Sequence, residues 1–232
     1  MSALTISPED EKRVKGMGFL NNRGTDLFSA RVLTTNGKVT ANVAAGKAAD
    51  LITAIAGAGA ADALTLTLTD VTVAATDLIS LNSKTSVAIN ANSVKTINGT
   101  VADLTKVYVT NKSNFTALGN ETVTIDGTTV VAANANIIGN ATTGVVTATV
   151  AAGDAAALRE ALVDAKATDK LTLTVTSPVK AADLKALDAK TTVKIDADSI
   201  SKLVGNAADV KAVIASSGVD LGATPSTIID VT

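Results

Sequence analysis

The residues best spaced for chemistry are carboxylates and amides that close apolar runs. Asn90-Ala91-Asn92-Ser93 is matched later by Asp196-Ala197-Asp198-Ser199, and Asp126-Gly127 closes another run. Stacked carboxylates beside backbone carbonyls offer the oxygen-rich surroundings of a Ca2+ ion, which makes Asp126, Asp196 and Asp198 the metal-site candidates. Asx residues at strand ends also form turns, and the Gly-rich nonapeptide loop of a calcium-binding β-roll is absent.

The second array is hydroxylic. Thr65/Thr67, Thr122/Thr124, Thr147/Thr149 and Thr172/Thr174 are T-x-T pairs, and an alternating strand puts both members of a pair on one face. A flat hydroxyl lattice could order water, bind ice or hold a polysaccharide. Thr is also simply a β-branched residue suited to an exposed sheet, and Ala88, Asn90, Lys194 and Asp196 interrupt the array. Asn98, Asn111, Asn114, Asn120 and Asn140 each begin an N-x-[ST] acceptor pattern, which a chain rich in Asn and Thr also produces by chance.

No catalytic constellation is present. The chain has no His and no Cys, which removes imidazole and thiolate ligands, Cys or His nucleophiles and the usual proton carrier near neutral pH. Glu9 and Glu11 lie in a solvated helix start, and Gly16-x-Gly18 lacks the strand and further glycines of a phosphate loop. The chain is therefore expected not to be an enzyme, and no cofactor is expected beyond the candidate Ca2+.

The elements that position these residues repeat. Val43-Ala44-Ala45-Gly46 returns as Val150-Ala151-Ala152-Gly153, an offset of 153 − 46 = 107. Asp62-Ala63-Leu64-Thr65-Leu66-Thr67 returns as Asp169-Lys170-Leu171-Thr172-Leu173-Thr174 at the same offset, and Lys84–Ile89 returns as Lys190–Ile195 at 190 − 84 = 106. Strands are predicted at Val39–Val43, Leu64–Thr69, Val87–Ala91, Thr122–Ile125, Val146–Val150, Leu171–Thr176, Val193–Ala197 and Thr227–Val231. Between them, Leu51 with Ile55 and Leu158 with Leu162 are i, i+4 pairs, while Leu78 with Leu81 and Leu184 with Leu187 are i, i+3 pairs. Leu104, Val107 and Tyr108 correspond to Val210, Val213 and Ile214, and Thr76-Asp77 and Asp154 stand where helix caps are expected.

Strand–helix units that return each strand beside the last give a parallel sheet. The expected fold is an α/β solenoid, leucine-rich-repeat-like, with Ala-rich helices on the Leu/Val/Ile face, a Thr-rich face left open, and two super-repeats of about 106 residues. A core built from Ala, Val, Leu and Ile fits thin regular layers: hydrophobic residues make up 47% of the 232-residue chain, but aromatics only 2%. Residues 1–37 form an N-terminal arm or cap, 38–144 the first super-repeat and 145–232 the second. In the arm, Ser7-Pro8-Glu9-Asp10 reads as a helix start and Leu27–Thr34 as a strand before the Asn36-Gly37 turn.

Charge and hydropathy narrow the partners. A net charge of −2 argues against nucleic acid, and there is no apolar run of about 18 residues to insert into a membrane. Met1–Lys15 is charged where a signal peptide needs an apolar core, so export would need another route or a leader already removed.

Two stretches resemble known families. Ala181–Gly222 (AADLKALDAKTTVKIDADSISKLVGNAADVKAVIASSGVDLG) and Ala117–Val150 resemble tandem repeats of very large cyanobacterial and other bacterial surface or secreted proteins, which often sit beside haemolysin-type calcium-binding modules. That resemblance implies a non-catalytic extracellular repeat protein, although this chain is short for the group. Lys15–Ala41 resembles the start of the ferredoxin-like half domain of sirohaem nitrite/sulphite reductases. The cysteines that bind the cluster and sirohaem in that family are missing, so no functional residue carries over.

The last predicted strand ends the sequence without a polar cap, which exposes a sheet edge. The expected function is a structural protein that polymerises head-to-tail into an extracellular filament or surface layer. Leu27, Phe28, Arg31 and Val32 on the arm strand would meet Ile228, Ile229 and Val231 of a neighbouring copy by strand addition. The alternatives are an adhesin that binds a surface or glycan partner and a virion decoration or tail protein, with ice binding a more remote third.

Overall fold

The alternation that reads as half-buried strands is present in the computed structural model, which describes residues 37–176, 178–222 and 228–232. The arm helix start and the strand predicted at Leu27–Thr34 lie outside the described residues. Leu64, Leu66 and Leu68 are buried while Thr65 and Thr69 are exposed and Thr67 half-buried; Leu171, Leu173 and Val175 stand in the same way against Thr172, Thr174 and Thr176. The fold is mixed α/β. Every pairing named below is parallel, there are seven α-helices among the described residues, and no sheet closes on itself.

The chain forms two compact units, residues 37–97 with 106–118, and 98–105 with 119–232. The first holds β1 (Thr40–Asn42), α1 (Ala48–Ala54), β2 (Ala63–Thr65), β3 (Thr72–Ala74), α2 (Ala75–Asn82) and β4 (Ile89–Asn90). The chain passes between units within β5 (Thr96–Gly99), and β6 (Phe115–Thr116) belongs to the first. There β1 pairs with β2 through Thr40↔Ala63 and Asn42↔Thr65, β4 pairs with β6 through Ile89↔Phe115, and isolated bridges join Gly46 to Leu68 and Thr67 to Asn90. Helix α1 lies against α2.

The second unit holds α3 (Val101–Thr105), β7 (Thr122–Ile125), α4 (Ala132–Ala141), β8 (Val146–Thr149), β9 (Gly153–Asp154), α5 (Ala155–Ala161) and β10 (Lys170–Thr172). It continues with β11 (Val175–Thr176), β12 (Val179–Lys180), α6 (Ala181–Asp188), β13 (Ile195–Asp196), β14 (Lys202–Gly205), α7 (Ala207–Ala215), β15 (Val219–Asp220) and β16 (Ile228–Val231). Strands β7, β8 and β10 are successive neighbours, as are β12, β14 and β16; β9 pairs with β11 and β13 with β15. From α3 to α7 each helix packs on the next.

The helices follow one burial rule. Counting from the first residue, the fourth and seventh turn inward: Leu78 and Leu81 in α2, Ala135 and Ile138 in α4, Leu184 and Leu187 in α6, Val210 and Val213 in α7, all buried. Leu51, Ile55, Leu158 and Leu162 are buried too. Small first residues such as Ala75, Ala155 and Ala181, each 0–1% exposed, let the helix start tight against the sheet. Tyr108 and Ile214 part company, however: the first is 2% exposed and the second 53%.

The elements differ from the sequence expectation in three ways. Leu64–Thr69 and Leu171–Thr176 are not single strands, because pairing lapses after Thr65 and after Thr172 and resumes with a different partner at Thr67 and Thr174. The strands entering the helices, among them β3, β5, β9, β12 and β14, are two to four residues long, too short for a period-2 pattern to register. Of the expected caps, Asp154 does accept from the Ala156 and Ala157 N–H groups, at 2.9 and 3.1 Å. Thr76 and Asp77 instead lie inside α2, which begins directly after β3 and leaves them no capping position.

A buried hydroxyl meets the backbone groups of each first stretch that face away from its strand partner. Thr85 Oγ accepts from the Leu64 N–H at 2.9 Å, donates to the Leu64 carbonyl at 2.8 Å and accepts from the Val87 N–H at 3.0 Å. Thr191 does the same for Leu171 and Val193, at 3.0, 2.8 and 3.0 Å. Replacing Thr191 by Val keeps the shape but leaves a buried N–H and carbonyl of Leu171 unmet. We expect a loss of about 1–3 kcal/mol in urea unfolding. Thr192→Val, at an exposed neighbour whose backbone N–H would still reach the Asp169 carbonyl, should cost much less.

Candidate functional site

The predicted hydroxyl array is staggered. Thr124 pairs with Thr147, but the next neighbour of Thr147 is Lys170; Thr149 pairs with Thr172, and Thr174 bridges to Asp196. In the first unit Thr65 stands beside Asn42, and Thr67 beside Asn90. Thr122, Thr124, Thr147, Thr67 and Thr174 are half-buried; Thr65, Thr149 and Thr172 are exposed. The T-x-T pairs therefore climb by one step per strand, and threonine rows end after two residues. Register, which decides this, depends on backbone hydrogen bonds and is not visible in composition.

Of the carboxylate candidates, two come together and one does not. Asp196 registers with Asp220 on β15, and the Asp198 N–H donates to Asp196 Oδ1 at 3.3 Å. Asp126 is exposed just beyond β7, and its N–H donates to the Gly99 carbonyl at 2.8 Å. Among the described residues, no three His, Cys, Asp or Glu side chains are grouped so as to hold a metal ion. A hydrogen bond with Asp196, then the charge of Asp196, some burial and the charge of Asp220 hold the Asp198 carboxyl above the ordinary range. Lys194 Nζ lies 3.1 Å from Asp220 Oδ2, and its hydrogen bond, with the Gly222 N–H, holds Asp220 below that range.

These shifts have opposite consequences. The Asp220 pair contributes stability above the ordinary carboxylate pKa that is lost as pH falls through its lowered value. The Asp198–Asp196 repulsion costs stability at neutral pH and is relieved as pH falls through the raised value of Asp198. Asp198→Asn should therefore raise the melting temperature slightly at pH 7, and the difference should close in acid once the native Asp198 is protonated. Both groups are exposed, so the shift is small.

Buried carboxylates that the sequence analysis did not single out are engaged in structure. Asp62 accepts from the Val39 and Gly59 N–H groups at 2.8 and 2.9 Å, and Asp169 accepts from Val146 and Lys166 N–H groups, both at 2.8 Å. Glu121, fully buried, accepts from the Gly119 N–H at 2.8 Å, and its carbonyl takes the Thr142 hydroxyl at 2.7 Å. A Cβ on Gly144 would collide with that carbonyl. Gly144→Ala should thus cost about 1–3 kcal/mol in thermal or urea unfolding, by forcing apart the bends that lead into β7 and β8. The recurring D-x-L-T and K-T-[ST] stretches were the available signal.

Among the described residues, β16 lies at the end of the order β12-β14-β16, held on one side through Leu203↔Ile229, Val204↔Asp230 and Gly205↔Val231. Ile229 is 47% exposed, although its registered neighbour Leu203 is fully buried, and Val231 is 56% exposed. Asp230 Oδ2 is 3.0 Å from Lys202 Nζ. Leu27, Phe28, Arg31 and Val32, the expected complement, lie outside the described residues. No helix among the described residues is long and apolar enough to cross a membrane. No family model, curated protein or solved structure matches the chain.

Proposed function

We propose that the chain is a non-catalytic structural protein, an α/β solenoid of two super-repeats that assembles head-to-tail into an extracellular filament or layer through the edge strand β16. The observation that carries this is a strand at the sheet edge among the described residues, with Ile229 and Val231 exposed, on a chain whose internal pairings recur at the sequence period.

The recurrence supports the super-repeat reading in detail. The pairs Thr40↔Ala63 and Asn42↔Thr65 return as Thr147↔Lys170 and Thr149↔Thr172, each residue shifted by 107 (147 − 40, 170 − 63). Gly46↔Leu68 returns as Gly153↔Val175 at the same shift, and Thr67↔Asn90 as Thr174↔Asp196 at 107 and 106. The Asp126 N–H bond to the Gly99 carbonyl returns as Thr232 N–H to Gly205, at 232 − 126 = 106. A solenoid is stabilised by contacts between neighbouring repeats, so an open end gains from another repeat in the way each internal coil does.

The absence of His and Cys and the structural use of the buried carboxylates favour a scaffold over a catalyst. The extracellular setting rests on the resemblance to bacterial surface repeats. Negative-stain microscopy and light scattering on the purified chain test the reading. Concentration-dependent linear particles, lost on deletion of residues 1–35, are expected. A monodisperse monomer at every concentration would overturn assembly and favour a surface-binding or virion-bound module.

A further inference from the structure

Asp126 was a candidate cation ligand, but its surroundings fit a different chemistry. Asp126-Gly127 is the only Asp-Gly pair in the chain, and it opens the loop that leaves β7. Residues 126–129 are all exposed, between buried Ile125 and buried Val130. Gly127 has φ +132°, a conformation that glycine adopts at little cost, and the position a Cβ would take is open space. Neither the Asp126 carboxylate nor the Gly127 N–H has a hydrogen-bond or ion-pair partner among the described residues.

A main-chain nitrogen that follows Asp or Asn is placed to attack that side chain's carbonyl carbon and close a five-membered ring. The attack needs a side chain free to turn toward the nitrogen, an N–H not held elsewhere, and no Cβ on the following residue to block the approach. All three hold at Asp126-Gly127. The chemically similar pair Asn98-Gly99 stands in opposite surroundings. Both residues lie in β5, Asn98 half-buried and Gly99 buried, and the Gly99 carbonyl takes the Asp126 N–H at 2.8 Å. An extended, paired strand holds the side chain and the following nitrogen out of attacking geometry.

We infer that Asp126-Gly127 is a site of spontaneous backbone modification, where the folded protein forms a succinimide and then isoaspartate, while the fold protects Asn98-Gly99. The Gly127 nitrogen bonds to Cγ of the protonated Asp126 carboxyl, and the N–H proton and the carboxyl hydroxyl leave as one water. A second water opens the ring. Breaking the bond from nitrogen to Cγ restores aspartate. Breaking its bond to the Asp126 main-chain carbonyl carbon leaves the chain running through Cβ and Cγ, with a free carboxylate on Cα. The added methylene falls between two anchors, the Asp126 N–H on Gly99 and Val130, whose N–H donates to the Thr149 carbonyl and whose carbonyl accepts from the Ala151 N–H, each at 2.8 Å. The exposed residues between them absorb it, so β7 and α4 keep their places.

The test holds the purified full chain, folded or in urea, in mildly acidic and in neutral buffer and samples it over time. Isoaspartate is counted by enzymatic methyl transfer from S-adenosylmethionine, and each labelled peptide is assigned by mass spectrometry after digestion. In the folded chain, label should accumulate on the peptide that carries Asp126 while Asn98 keeps its amide; in urea, both sites should react. Asp126→Glu, which would need a less readily formed six-membered ring, should lose the label on that peptide, with an unchanged melting transition showing that the variant folds. The converted parent chain should melt as the fresh protein does. An unlabelled Asp126 peptide in the folded chain would overturn the site. Loss of the Asn98 amide at the same rate folded and in urea would overturn the protection, and a lowered melting temperature after conversion would overturn the tolerance of the loop.

Discussion

A short parallel strand paired along one edge leaves backbone N–H and C=O groups facing the other way, and each of them needs a partner. Here that partner is a side-chain hydroxyl, 20 or 21 residues further along the chain, that both donates and accepts. Thr85 and Thr191, 5% and 7% exposed, satisfy both backbone groups of Leu64 and Leu171. Serine could make the same bonds, but the β-branch of Thr restricts χ1 and so holds the hydroxyl in place at smaller entropic cost. The carboxylates of Asp62 and Asp169 accept in turn from the N–H groups of Val39 and Val146. These bonds link residues 20 to 23 positions apart and so tie each strand–helix segment to its neighbour.

The helix layer obeys the same economy. Short helices expose a large share of their terminal carbonyls, and lysines of the following coil cover them: Lys84 Nζ donates to the Ala56 carbonyl at 2.9 Å, Lys190 to Val163 at 3.0 Å and Lys166 to Gly139 at 3.0 Å. The first N–H of α1 is met in turn by Asp70, at 2.7 Å. Each of these helices is thus completed by a later segment of the chain. That dependence makes an edge such as β16, with Ile229 and Val231 uncovered, the natural place to look for function in a chain whose interior carboxylates are already committed.

What was legible in the sequence follows from how local each signal is. Leu64-Thr65-Leu66-Thr67 declares its buried and open faces because side-chain direction alternates whatever the neighbours do. Leu184 and Leu187 declare a helix face for the same reason. The breaks in pairing after Thr65 and Thr172 were not legible, because the hydroxyls that bond Leu64 and Leu171 sit some 20 residues away and Thr85 looks like any strand-forming threonine. The one-step stagger that sets Lys170 beside Thr147 was hidden likewise. Asp196 and Asp198 were recognised as neighbours in sequence, but Asp220, the acid that registers with Asp196, was found only through the pairing of β13 with β15.

The central claim is that the Thr85 and Thr191 hydroxyls hold neighbouring parallel segments in register, and residue-resolved amide hydrogen exchange addresses it most directly. The Leu64 and Leu171 amides, each bonded to a threonine side chain rather than to a strand neighbour, should exchange as slowly as the core-strand amide of Val123, which donates to the Val145 carbonyl. Exchange at rates near those of an unfolded chain, with Val123 still protected, would contradict the account.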